Sequence, residues 1–258
     1  METRCLLVVR EELGTPSLIS TIMPNAPTLA ASALIAFYVF YGVRGALGDD
    51  SIVPDAVKPA KLTYVQALGY HMLMDACLMI GIVVNDIAHV MMPAFVTAML
   101  VVVYSHFIID DMSGAVPAAV FALVFACLAR GAPTRKPMKW NLATFFFSLQ
   151  GLLVLLVGIG MLFGDDSIIP DQMKPLDSLN QVKLVGTTEL TLSAYLFGSI
   201  LAGHAQAMQP FCGLFMLIAV ALHNVIGDIE GCPLIIGLAM AHICLGLFWK
   251  GKDEAKEQ

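Results

Sequence analysis

Charge is what this sequence has least of. Asp, Glu, Lys and Arg make up 13% of 258 residues, about half the share usual in soluble domains. Hydrophobic residues take 58% and the mean hydropathy is +0.81, so the expected partner is the lipid bilayer. No basic run is long enough to follow a nucleic-acid backbone, which removes nucleic acid as a partner. The six cysteines form no CxxC pair, so they indicate neither a zinc site nor a redox couple. GxSxG, HExxH, P-loop and GxGxxG patterns are all missing, and no motif indicates a cofactor. Phosphate-handling and metal-hydrolase chemistry lose their usual signatures. An intramembrane enzyme acting on a lipid or quinone-like molecule needs none of them and stays open.

A leader is also missing from the expected organisation. The apolar run near the start is about six residues long and meets Arg10, Glu11 and Glu12 at once, whereas a signal peptide needs ~7–15. Residues 1–25 therefore read as a short cytoplasmic-side extension, and 251–258 as a charged tail.

What the sequence does have is long apolar segments. Stretches of about 20 residues, enough to cross the hydrocarbon core as helices, fall near 26–47, 63–84, 88–109, 114–130, 141–163, 183–203, 207–226 and 233–249. The fold class expected is all-α and polytopic, with about eight transmembrane helices.

The chain also repeats itself. GDDSIVPDAVKP at 48–59 returns as GDDSIIPDQMKP at 164–175, identical at nine of twelve positions. The register continues through Gly69/Gly186, Gly81/Gly198, Pro93/Pro210, His106/His223, Asp111/Asp228 and Gly114/Gly231. This predicts two tandem four-helix units, 26–131 and 132–250. An even number of spans per unit sets both the same way up, a parallel repeat.

Orientation follows from the basic residues. Arg4, Arg10, Arg130, Arg135, Lys136, Lys139, Lys250, Lys252 and Lys256 fall on the side of both termini, against Arg44, Lys58, Lys61, Lys174 and Lys183 opposite. Both termini are therefore expected on the cytoplasmic (or stromal or matrix) side, with the GDDSI loops on an acidic outer face.

Two motifs per half meet on that face. One is the GDDSI loop, with Asp49 and Asp50 or Asp165 and Asp166. The other is His-x4-Asp at the end of the third span of each unit, His106 with Asp111 and His223 with Asp228. Such carboxylates and imidazoles have the chemistry to bind a divalent cation or relay protons. They also have simpler structural work, with Gly48 and Gly164 as left-handed helix ends, an Asp or Ser before the Pro as cap of a short following helix, and each His–Asp pair as a tie between two loops. The reading favoured is the structural one.

The halves differ at lipid depth, where a central Asp costs about 2.5–3.5 kcal/mol on the insertion scale and is a functional candidate by default. GYHMLMDACLM places His71 and Asp75 on one face of the second span. The second copy has Thr188 and Leu192 there, with Glu189 beside them, and Gly160 in place of Arg44. A site between the repeats would be built mainly by the first half. His89 and His204 fit interfacial positions. His242, alone on its helix, reads as a packed core residue more readily than as a haem or pigment ligand. Three functions fit these features: a small transporter or ion/proton-coupled carrier, a non-catalytic subunit of a larger membrane complex or homo-oligomer, and the intramembrane enzyme. The carrier is slightly favoured.

Overall fold

The computed structural model describes residues 26–130, 140–167, 169–171, 174 and 178–248. The N-terminal extension, most of the basic loop before Trp140 and the charged tail lie outside them. Among the described residues all regular structure is helical. Eight α-helices run α1 Ala26–Ala46, α2 Leu62–Val84, α3 Ala88–Ile108, α4 Met112–Ala129, α5 Leu142–Leu162, α6 Leu179–Leu201, α7 Ala205–Ile226 and α8 Cys232–Phe248. The first seven are long and apolar enough to cross a membrane. At 17 residues and 1.5 Å per residue, α8 spans only about 26 Å. Two single-turn 3₁₀ helices, Asp50–Ile52 and Asp55–Val57, lie in the first GDDSI loop. The chain is a polytopic helical membrane protein.

Boundaries agree with the sequence pattern to within a few residues, and the largest shift has a physical reason. Helix α6 begins at Leu179, four residues before the apolar segment does. Its first turn carries Asn180 and Gln181, and these polar side chains are not spent on water. Gln181 donates from Nε2 to the carbonyls of Val57 and Pro59, both at 3.0 Å, and Asn180 donates to Ala56. The start of α6 thereby fastens the backbone of the first loop, a contact that no hydropathy scan registers.

Sequence neighbours pair as α1 with α2, α3 with α4, α5 with α6 and α7 with α8, while α2 packs on α7, α3 on α6, and α2 on α6. Helices α2 and α6 are central. About two thirds of each hydrophobic window is buried inside the protein, against 22% for α1 and α4. The burial explains the polar content of α6, whose window has the lowest hydropathy of the seven. Its threonines and serines face protein rather than lipid, so each can find a partner.

Two matched close approaches hold neighbouring helices together. Gly69 of α2 lies against the end of α1, where a Cβ would meet the backbone of Ala46, Gly45 and Gly42. Gly186 of α6 lies against α5, where a Cβ would sit 2.9 Å from Gly158 O and Leu162 N. Only a residue without a side chain permits backbones this close. Pro93 and Pro210 are each the sixth residue of their helices, α3 and α7, one turn past the start, so each withholds one N–H from the helical ladder.

Candidate functional site

The loops that the repeated phrase forms are built by local hydrogen bonding. Gly48 and Gly164 have φ of +85° and +88°, the left-handed region a glycine enters without strain. Asp49 then accepts from Ser51 N at 3.0 Å and caps the 3₁₀ turn, and Asp165 accepts from Ser167 N at 2.9 Å. Lys58 pairs with Asp55 as Lys174 does with Asp171. Arg44 makes the difference between the loops: its Nε lies 2.7 Å from Asp49 Oδ2 and its Nη2 2.6 Å from Ser51 Oγ. Hydrogen bonds from Ser51, with the Arg44 guanidinium behind them, hold the Asp49 carboxyl down at about 2. Hydrogen bonds from Ser167 lower Asp165.

The two His-x4-Asp motifs close on themselves. His106 Nδ1 lies 2.8 Å from Asp111 Oδ2, and His223 Nδ1 lies 3.0 Å from Asp228 Oδ2. Asp111 also caps α4, accepting from Ser113 N and Gly114 N. Partial burial pushes its carboxyl up, but the bonds from Ser113, His106 and Gly114 outweigh it, and the net shift is downward. An ionised Asp111 accepts only, so His106 donates through Nδ1–H. The expected gathering of His, Asp and the Asp-Asp pair around one point does not occur. Asp49 is spent on Arg44 and Ser51, and no group of three or more His, Cys, Asp or Glu among the described residues is placed to hold a metal ion. Local partners engage Asp49, Asp111, Asp165 and Asp228 instead.

At lipid depth the structure brings together what the sequence singled out. His71 and Asp75 on α2 face α6. His71 Nε2 lies 2.9 Å from Glu189 Oε1, and its Nδ1 lies 2.7 Å from Ala67 O. The carbonyl can only accept, so Nδ1 carries a proton and donates it. One further proton then fits the Nε2···Oε1 contact, on Glu189 as a neutral pair or on His71 as an ion pair. One turn on, Asp75 is wholly buried. Its Oδ2 accepts from Thr191 Oγ1 at 2.8 Å, and its Oδ1 has no hydrogen-bond partner among the described residues.

Asp75 lines a cavity of about 410 Å³. The cavity runs from the first loop and the His106–Asp111 pair down between α1, α2, α3, α4 and α6. Its deep end carries Asp75, Thr187, Thr188 and Thr191, and its flank carries Phe37, Tyr38, Tyr41 and Phe121. Phe37 packs on Tyr41 at 4.5 Å between ring centroids and on Phe121 at 6.5 Å, which joins α1 to α4 by aromatic contacts. His71 and Glu189 stand one turn from Asp75 and Leu192 along their helices. Asp50 and Asp166 join neither the cavity lining nor any of these bonds.

A second buried polar group lies among α5, α7 and α8 and was not anticipated. Gln209 hydrogen-bonds His242 Nδ1 through Oε1 and donates to Ala143 O at 2.9 Å. Cys212 donates from Sγ to Gln150 Oε1 at 2.7 Å and lies 3.9 Å from His242 Nε2. All four residues are buried. With both ring nitrogens facing protein groups, His242 is the packed core histidine the sequence suggested. The sequence signal for it is two uncharged glutamines within apolar segments, in FFFSLQGLL and AQAMQPF, which carry no charge to mark them at lipid depth.

Comparison with protein families, with characterised proteins and with solved structures found no match to this chain.

Proposed function

We propose that the chain is a small membrane carrier, loaded from the GDDSI face through the cavity, with Asp75 as its central group and the His71–Glu189 pair as its proton-exchanging element. The observation that carries this reading is Asp75 itself, a fully buried carboxylate with one oxygen unpartnered, at the inner end of a cavity that reaches a loop face. A buried polar atom left without a partner costs about 1–3 kcal/mol, and a helical bundle with no use for that atom has cheaper residues to place there. The second support is the single proton held between His71 and Glu189, one turn away, at a contact joining the first and last four helices.

Around this site we read two tandem four-helix units, 26–131 and 132–250, related by an axis normal to the membrane, with both termini on the cytoplasmic side. The matched glycine contacts at Gly69 and Gly186 and the matched His–Asp pairs support the repeat. In this arrangement the cavity belongs to the first unit, and the polar wall supplied by α6 belongs to the second.

The test is proton flux in reconstituted vesicles, read by an entrapped pH-sensitive dye. Asp75→Asn preserves volume and the Thr191 contact, and it should abolish flux while the detergent-solubilised protein keeps its helicity and gel-filtration profile. Flux equal to wild type would remove Asp75 from the mechanism and, with it, this reading.

A further inference from the structure

The walls of the cavity say more about its ligand than the carrier reading does. A cavity of about 410 Å³ is far larger than a bare ion requires and falls within the range of small-molecule sites, which are mostly apolar with a few placed polar groups. The wall here is of that kind, with aromatic rings from α1 and α4 above a carboxylate and three threonines.

The charges within it are unequally matched. Asp55 faces Lys58 Nζ at 2.9 Å, and Asp111 faces His106. Among the described lining residues, Asp75 is the carboxylate with no basic side chain bonded to it: Thr191 lies on Oδ2, His71 is turned to Glu189, and Oδ1 has no hydrogen-bond partner. An anionic ligand would bury its charge beside Asp75 with no unpaired cation among the described lining residues to meet it, and burying unpaired charge is among the most costly arrangements available. A neutral ligand would leave Oδ1 as it is. A cation relieves it. The rings give the organic body of such a cation an apolar wall to pack on.

We infer that the cavity is a binding site for a small organic monocation, with its ammonium head on Asp75 Oδ1 and its apolar body against Phe37, Tyr41 and Phe121. The inference rests on the carrier reading only for the location of the site. Binding and flux can therefore be separated.

The experiment is calorimetric titration of the full-length chain in detergent with three probes of similar size: 2-phenylethylamine, neutral 2-phenylethanol and anionic 3-phenylpropanoate. The amine should bind at least about tenfold more tightly than either of the others, which corresponds to 1.4 kcal/mol. In Asp75→Asn the preference for the amine over the alcohol should vanish. In Phe121→Ala, which leaves Asp75 untouched, both should weaken together. The second variant and the wild-type ranking decide the matter even where Asp75→Asn fails to fold.

Equal binding of amine and alcohol by the wild type, or preference for the anion, overturns the inference. Saturable heat from sodium chloride alone, with none from the amine, replaces the organic cation by an inorganic one and also overturns it. Amine binding without amine or proton flux in vesicles upholds the ligand class and sinks the carrier. Asp75-dependent flux with no amine binding does the reverse.

Discussion

His71 and Glu189 stand 118 positions apart, yet His71 Nε2 lies 2.9 Å from Glu189 Oε1 across the α2–α6 contact. The pair is nearly enclosed, with side-chain exposures of 10% and 16%. Removing one member of a buried pair leaves the other uncompensated, which costs about 3–5 kcal/mol. Glu189→Ala should therefore destabilise by about 3 kcal/mol in denaturant unfolding of the solubilised protein. In a double-mutant cycle with His71→Ala, the two losses should fall short of additive by at least about 0.5 kcal/mol. Additive losses would mean that the two side chains do not interact.

Gly69 and Gly186 carry a second expectation. Each faces backbone atoms of the preceding helix at distances no Cβ tolerates, so Gly69→Ala and Gly186→Ala must push helices apart. Overpacking of this kind costs typically 1–3 kcal/mol, and backbone yields less than a side chain. Gly237→Ala is the control, because nothing lies within 4 Å of a Cβ there. Thermal unfolding should separate the first two from the third, and three equal melting temperatures would refute the close approach.

Most of the fold was legible in the sequence, because it is carried by patterns that lipid imposes. All eight helices are where the apolar segments are, Gly48 and Gly164 take the left-handed positions expected of them, and Asp49 caps a short helix ahead of Pro54, whereas the capping of α4 by Asp111 came only with the structure. Of the candidate site, His71, Asp75 and Glu189 stood out as ionisable residues at membrane depth. Their meeting was not legible, because it depends on the rotation of α2 against α6, which no local pattern encodes. The polar cluster of Gln150, Gln209, Cys212 and His242 escaped for a different reason. Its members are individually unremarkable, and only their convergence from three helices gives them meaning. Three of the outer aspartates are engaged locally: backbone N–H groups two or three residues away reach Asp49, Asp111 and Asp165 before a more distant partner does.

The His242 cluster predicts its own energetics. His242→Leu removes the partner of Gln209 Oε1 and leaves a buried acceptor unsatisfied, at a cost of about 1–3 kcal/mol. His242→Gln keeps a donor at a similar reach and should recover part of the loss. Neither change touches the cavity, so proton flux normalised to folded protein should be unaltered. A loss of flux with intact folding would give this cluster a role beyond holding α5, α7 and α8 together.

Acid should loosen the loop face in a defined direction. Asp49, Asp111 and Asp165 all have carboxyls held below the ordinary Asp value by hydrogen bonds in the folded loops. A lowered folded-state value means the stabilisation is fully present above the unfolded pKa of about 3.9 and is lost as pH falls through the folded value. Protection factors of the amides in the first loop, around Ser51, should therefore be unchanged between pH 7 and 5 and should fall between pH 4 and 2, toward the Asp49 value of about 2. In Arg44→Gln the loss should begin at higher pH, since the guanidinium on Asp49 is gone. Protection that persists unchanged to pH 2 would show that Asp49 does not hold the loop.

The orientation proposed here can be checked with the cysteines the chain already carries. A maleimide reacts with a thiolate in water, so thiols within the bilayer or the protein core are silent toward an impermeant reagent. Cys212 is buried, and Cys127 and Cys244 lie on helices α4 and α8, on faces turned away from the protein toward lipid. Cys232 is different: it is the first residue of α8, four residues after Asp228, with a half-exposed side chain beside the loop that carries the His223–Asp228 pair. With the GDDSI face outward, intact cells should label Cys232 and lose that label in Cys232→Ser. Cys5, in the N-terminal extension, should label only after the membrane is opened, and Cys5→Ser should remove only that increment. The opposite pattern, with Cys5 reactive in intact cells and Cys232 protected until permeabilisation, would turn the molecule over and place the mouth of the cavity on the cytoplasmic side.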